Sequence, residues 1–284
     1  MGWPTGSADL ILERRRITIA FLPVEDPMTR VTGHKPDRPI WFDLMTSDAD
    51  GARRFYASVL GWEYDVSGPE FGHYAMALRG SDVCAGIGQI VPGETYPPSW
   101  TVYFGVISAE ATIAKITAAG GTVLVPPMDI GDSGRMVVCQ DPTGAVFGLW
   151  QPMTHVGAGL IGEPGGMVWS EVNTRDADAA ARFYCSVFGL RDEVMEMQGT
   201  PYHMLHTAEG PACGVLQMTP EWGDMPPHWM AYFAVENAES AKARVESAGG
   251  TVPFGPFESP YGRIIVVIDP QGAAVSLIEV KQMA

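Results

Sequence analysis

The sequence predicts an α+β protein of two tandem domains, each built from paired βαβββ modules, and three observations lead there. The chain repeats itself: "WFDLMTSDADGARRFYASVLGW" from Trp41 matches "WSEVNTRDADAAARFYCSVFGL" from Trp169, and "SGRMVVCQDPTGAVFGLW" from Ser133 matches "YGRIIVVIDPQGAAVSLI" from Tyr261. The offset between copies stays at 128 or 129 residues, which marks a duplicated structural unit. Within each copy a strand–helix–three-strand pattern occurs twice. Finally, β-branched runs broken by D-P-x-G turns at Asp141 and Asp269 carry the period of strands rather than helices.

The first unit shows how the elements are read. Ile40 to Thr46 forms a strand. Asp48 then suits a helix N-cap, Ala52, Phe55, Tyr56 and Val59 fall at helical spacing, and Gly61 suits the stop. "HYAMALRG" and "VCAGIGQIV" alternate as strands do. The pattern restarts with strand "TVYFGVI", helix "AEATIAKITAAGG" and strands "TVLVP", "RMVVCQ" and "VFGLWQ". The expected organisation is a disordered leader over 1–36, with Met28 as an alternative start, a first domain over 37–152, a linker over 153–165 and a second domain over 166–282. "GAGLIG" in the linker fits G-x-G-x-x-G, but it runs into "EPGG" and no helix follows to hold a pyrophosphate.

Composition narrows the function classes. The chain has 284 residues, 46% of them hydrophobic and 18% charged, enough for packed cores. Lys and Arg total 18 against 33 Asp and Glu, a net charge of −15. Such a surface repels nucleic acid and anionic membranes. No apolar run is long enough to span a bilayer, and Arg14–Arg16 ahead of Ile17–Val24 make a poor signal peptide because Pro23 interrupts a short run. The expected location is the cytoplasm, with neither nucleic acid nor membrane as partner. The four cysteines, Cys84, Cys139, Cys185 and Cys213, form no C-x-x-C pair and read as core thiols.

The "D-A-D-x-A-x-R-F-Y-x-S-V-x-G" stretches, the "A-G-G-T-V" helix ends and "D-P-x-G" before each last strand resemble the vicinal oxygen chelate superfamily, which includes glyoxalase I, extradiol dioxygenases and bleomycin-resistance proteins. The resemblance covers both repeats. More narrowly, the chain is similar to tandem-domain actinobacterial members, some from anthracycline biosynthesis clusters of the daunorubicin/doxorubicin type. It implies that each domain is an open β-cup and that metal-dependent members carry four ligands on the inner strands. The matching positions here are Trp41, Thr101 and Gly148 in the first domain and Trp169, Met230 and Ser276 in the second, with the remaining position near Gln89 and Gln217. None is His, Glu, Asp or Cys, so neither a metal nor another cofactor is expected, which weakens readings that need a Lewis acid.

Strand alternation then gives the expected cup lining. Trp41, Asp43 and Met45 share a face, as do Trp169, Glu171 and Asn173; Thr101 and Tyr103, Met230 and Tyr232, Gly148 and Trp150, and Ser276 and Ile278 follow. The candidate ligand-binding residues are Trp169, Glu171, Asn173, Met204, His228, Met230, Tyr232 and Ser276 in the second domain, and Trp41, Asp43 and Tyr103 in the first; no catalytic residue is assigned. Trp and Tyr offer stacking faces, Met adaptable contacts, and a half-buried carboxylate wants a partner, such as a ligand amine, Arg135 or Arg263. His73 and His203 are matched across the repeat and read as structural. The expected function is metal-free binding of a bulky aromatic natural product of anthracycline type, for sequestration and self-resistance or as an accessory to late hydroxylation beside a biosynthetic oxygenase. The alternative is an enzyme of the superfamily, an auxiliary oxygenase component or a metal-free isomerase with Asp43 or Glu171 as base.

Overall fold

The computed structural model describes residues 33–197 and 199–281. The first 32 residues, including Met28 and most of the expected leader, lie outside the described residues. The first domain runs β1 (Pro39–Thr46), α1 (Ala49–Leu60), β2 (Glu63–Val66), β3 (Ala75–Arg79), β4 (Asp82–Gln89), β5 (Ser99–Gly105), α2 (Ala109–Ala118), β6 (Thr122–Ile130), β7 (Gly134–Gln140) and β8 (Val146–Pro152). The second repeats it with β9 (Met167–Thr174), α3 (Ala177–Phe188), β10 (Arg191–Met197), β11 (Thr200–Thr207), β12 (Gly210–Gln217), β13 (His228–Ala234), α4 (Ala238–Ser247), β14 (Thr251–Ser259), β15 (Gly262–Ile268) and β16 (Ala274–Val280). Each half-domain is one βαβββ module. Each domain is an eight-stranded open sheet, β2-β3-β4-β1-β5-β8-β7-β6 in the first and β10-β11-β12-β9-β13-β16-β15-β14 in the second.

The helices start and stop where local chemistry says they should. The Asp48 and Asp176 side chains accept from the third backbone N–H beyond them, and Gly61 and Gly189 end α1 and α3 at φ +72° and +68°. Gln89 and Gln217 cap the same helices: Oε1 accepts from the backbone of Ala49 and Ala177, while Nε2 donates to Ser47 and Arg175 carbonyls. The expectation that these glutamines occupy the remaining cup position is therefore corrected. On β4 and β12 the residues level with Asp43 and Glu171 are Gly86 and Gly214.

The motifs shared by the two repeats meet at the interface between the domains. Tyr56 on α1 donates to Oδ2 of Asp269 at 3.1 Å and accepts from the Trp100 indole at 3.0 Å. Reciprocally, Tyr184 on α3 donates to Oδ2 of Asp141 at 2.8 Å and accepts from Trp229 at 2.9 Å. The other carboxylate oxygen of each aspartate accepts backbone N–H groups of its own D-P-x-G turn. Beside these bonds, a Cβ on Gly250 would stand 2.7 Å from the Phe55 ring and one on Gly121 2.9 Å from Phe183, so the second glycine of each "A-G-G-T-V" leaves room for the other domain's phenylalanine. Phe104 stacks on Phe188 at 4.3 Å, Phe42 meets Phe233 at 5.6 Å, and one continuous apolar core spans both domains. The "GAGLIG" stretch opens no helix. It threads along the first sheet, with Ala158 and Gly159 donating to the carbonyls of Ile40 and Val83.

No helix among the described residues is long and apolar enough to cross a membrane. The four cysteines are free thiols, and burial pushes those of Cys84 and Cys139 up to about 12.

Candidate functional site

Cross-strand registers fix which side chains face each cup, because directly opposed residues share a face. In the second domain one row runs from Glu171 through Gly214 to Met204 and Glu193, with Met230 on its other side. The next row runs from Trp169 through Tyr232 and Ser276 to Val266 and Phe254. Asn173 stands opposite His228, and Ile278 faces Ile264 and Phe257. All eight second-domain candidates thus fall on one face of the sheet. In the first domain the same rows gather Asp43, Gly86 and Met76, then Trp41, Tyr103 and Gly148.

At the centre of each cup a buried carboxylate is held by two tyrosines. Glu171 accepts from Tyr232 at 2.7 Å and Tyr202 at 2.9 Å, and Trp169 donates to the Tyr202 hydroxyl at 3.0 Å. Asp43 accepts from Tyr74 and Tyr103, both at 3.3 Å. These hydroxyls are partners the sequence reading did not provide. Arg135 pairs instead with Glu110 and Asp129, and Arg263 with Glu239 and Glu258, so neither arginine serves the buried acids. Burial raises the Asp43 carboxyl to about 7 against the pull of its tyrosine donors, and raises Glu171 for the same reason. Tyr74 and Tyr202 reach in over a glycine: a Cβ at Gly86 would lie 1.7 Å from the Tyr74 hydroxyl, and at Gly214 1.9 Å from that of Tyr202.

The repeat match of His73 with His203 is also corrected. The registers equate Ala75 with His203, since both stand one residue before the methionine opposite Gly86 or Gly214. His203 faces away from the cup and binds Asp192 at 2.9 Å, whereas His73 sits in a turn at φ +57°.

The two cups differ in how their lining residues are buried. In the first, Trp41, Tyr103 and Trp150 are buried members of the continuous core. The linker closes one end, with the His155 ring edge-on to Trp41 at 4.4 Å and Trp150 donating to the His155 carbonyl at 2.8 Å. Burial lowers the His155 imidazole to about 4, so it sits there neutral. In the second, Tyr202, Met204, Met230, Ile264 and Ile278 are buried yet lie apart from that core, and Trp169 and Tyr232 are half-exposed. The wall above them carries Phe254 at 46% and Phe257 at 39% exposure. A regular strand would send residues three apart to opposite faces. Register shifts on β14 put Phe254 opposite Val266 and Phe257 opposite Ile264, two places apart on β15. Gly255 lies between them at φ +95°, where a Cβ would meet the Ile264 carbonyl at 2.4 Å. Across the cup, β10 offers Met195 on the same face.

The metal implied by the resemblance does not fit these residues. Where the fourth ligand would project in the first cup, a side chain on Gly148 would collide with the Tyr103 ring at 2.1 Å. In the second cup the inner positions hold an indole, a thioether and a hydroxyl around one tyrosine-bound carboxylate, a poor donor set for a divalent ion. Among the described residues no three His, Cys, Asp or Glu side chains cluster to bind one.

The comparisons with known proteins agree with this architecture. CFP32 of Mycobacterium tuberculosis, provisionally named a glyoxylase, is 39% identical over 89% of this chain and 98% of its own length. The anthracycline biosynthesis protein DnrV of Streptomyces peucetius is 32% identical over 89% of this chain and 96% of its own. Among solved structures, the Mn(II)-bound glyoxalase of Novosphingobium aromaticivorans superposes with a TM-score of 0.62 at 15% identity, over 87% of this chain and 83% of that one. The 2,3-dioxygenase LapB of Pseudomonas sp. KL28 gives 0.59 at 17% identity, over 85% and 91%. At such identities the likeness is one of fold. The family model matches residues 38–149 and again 166–277, and the chain belongs to the Glyoxalase/Bleomycin resistance protein/Dioxygenase superfamily as two tandem domains.

Proposed function

We propose that the protein binds a bulky, planar, largely apolar small molecule in its second cup, without the superfamily's metal. The carrying observation is the pair Phe254 and Phe257, brought to the inner face of β14 and left half-exposed above Trp169, Met230 and Tyr232. Large apolar side chains gathered and partly exposed on one sheet face mark a binding surface. The similarity to proteins named for anthracycline biosynthesis points to a polycyclic aromatic natural product. Sequestration, self-resistance, or delivery to a late biosynthetic oxygenase are the roles such binding would serve. Because Glu171 is already held by Tyr202 and Tyr232, stacking and apolar contact supply the affinity, and a cationic group on the ligand is optional. Trp41, Asp43 and Tyr103 serve packing in this reading.

Titration with daunorubicin in chelator-treated buffer tests it. Saturable quenching of tryptophan fluorescence is expected, with a one-to-one complex by native mass spectrometry. Phe254→Ser with Phe257→Ser is expected to weaken binding by about tenfold or more, the usual worth of burying an aromatic side chain. Absence of saturable quenching in the wild-type protein sinks the proposal.

A second reading, a metal-free enzyme, is favoured by one observation: Glu171 is buried, has a raised pKa and is hydrogen-bonded to the half-exposed Tyr232, a suitable pair for moving a proton. Its test is product formation from the bound molecule by purified protein, abolished by Glu171→Gln.

A further inference from the structure

The cups share one backbone plan, so each serves as a control for the other. At one end of the first cup Met45 stands level with Ser99 and Gly88, its sulfur 2.6 Å from where a Gly88 side chain would begin. The matching places in the second cup hold Asn173, His228 and Leu216. A thioether satisfies the fold at this point, so folding alone does not demand the polar pair.

His228 Nδ1 lies 2.9 Å from the Pro226 carbonyl oxygen. A carbonyl only accepts, so Nδ1 carries the hydrogen. Burial disfavours the charged ring, which leaves Nε2 to accept from Asn173 Nδ2 at 3.2 Å. The amide is thereby oriented, and its oxygen is the arm left over. Asn173 is 1% exposed and its Oδ1 has no hydrogen-bond partner among the described residues. Buried acceptors are nearly always satisfied, and an orphan calls for a reason. Asn173 shares the cup face with Glu171, two residues along β9 and so about 7 Å away. Over this end lies the turn carrying Trp222, whose ring is 6.2 Å from His228. Arg175 ties the turn down by donating to the Met225 carbonyl at 3.1 Å.

We infer that this end of the second cup is a specificity subsite in which Asn173 Oδ1, oriented by His228, accepts a hydrogen bond from a hydroxyl or amino group on a planar polycyclic ligand. The inference rests on the ligand-binding reading above and adds the group that ligand carries. Asn173 makes the contact and His228 is a positioning residue. Oδ1 is covered in this structure, so a ligand reaches it only when the side chains over it move.

Three matched probes test this: anthraquinone, 2-hydroxyanthraquinone and 2-aminoanthraquinone, followed by tryptophan quenching. The wild-type protein is expected to bind a donor-bearing probe at least about tenfold more tightly than the parent, the usual worth of pairing a buried acceptor. The hydroxyl and amino arms tell which donor is read. Asn173→Met with His228→Ser installs the first cup's own residues; it is expected to keep or raise Tm and to bind all three probes alike. Should that variant fail to fold, His228→Ser alone is expected to lose the preference while retaining affinity for the parent. Equal binding of the three probes by the wild type overturns the subsite and leaves the cup reading standing. Failure of every probe and of daunorubicin to bind overturns both.

Discussion

Tyr56→Phe combined with Tyr184→Phe is expected to cost roughly 3–6 kcal/mol of stability, because each removed hydroxyl ends a charge-assisted bond worth about 1.5–3 kcal/mol. Each hydroxyl also joins two buried groups that have few other options. Without Tyr184, Oδ2 of Asp141 loses its donor and the Trp229 indole its acceptor; without Tyr56 the same befalls Asp269 and Trp100. Phenylalanine fills the same volume, so the loss reports hydrogen bonding rather than a cavity. Urea unfolding is the measurement. The wild type is expected to show a single transition because the core is continuous across both domains. The double variant is expected to unfold at a clearly lower midpoint. A midpoint within the range of ordinary surface substitutions would mean that these bonds do not hold the domains together.

Asp43→Asn is expected to stabilise the protein at alkaline pH and to leave it unchanged under acid conditions. The folded-state pKa, about 7, lies above the ordinary value of 3.8. Between those two values the folded protein therefore retains a proton that the unfolded chain has released. Stability falls as pH rises through that window, by about 1.4 kcal/mol per unit, and on the order of 4 kcal/mol is lost by pH 8. The favourable contribution of the protonated acid is fully present below about pH 4. Asparagine keeps an acceptor for Tyr74 and Tyr103 and has no charge to desolvate. Thermal melts of both proteins from pH 4 to 8.5 should coincide at the acid end and diverge with the variant higher at the alkaline end. A wild type that keeps pace with the variant at pH 8 would show that Asp43 ionises at little cost in place.

The sequence made the fold legible because the chain states it twice. A residue assigned to an inner face had to make sense in both copies, and Trp41, Asp43 and Met45 against Trp169, Glu171 and Asn173 pass that test in the observed registers. The motifs that carried the resemblance, Phe55-Tyr56, "A-G-G-T-V" and "D-P-x-G", lie at the contact between domains, so they mark architecture and are silent about ligand. What was missed has local causes. Tyr74 and Tyr202 reach the carboxylates across strands through room left by glycines, and nothing in a linear pattern ties a glycine to a tyrosine twelve residues away. Phe254 and Phe257 share a face only because β14 departs from period two. His73 and His203 were paired by residue identity against a register that runs two places differently.

The reciprocal bonding of α1 and α3 to the opposite domains makes this chain a dimer whose halves are joined end to end. In a true homodimer every substitution appears on both sides, so neither pocket can change alone. Covalent joining removes that constraint: one hollow can become ballast, stoppered by the connecting peptide, while its twin keeps an exposed aromatic wall and acquires an amide and an imidazole of its own. Asymmetry of this sort is open to a fused pair and closed to a symmetric one.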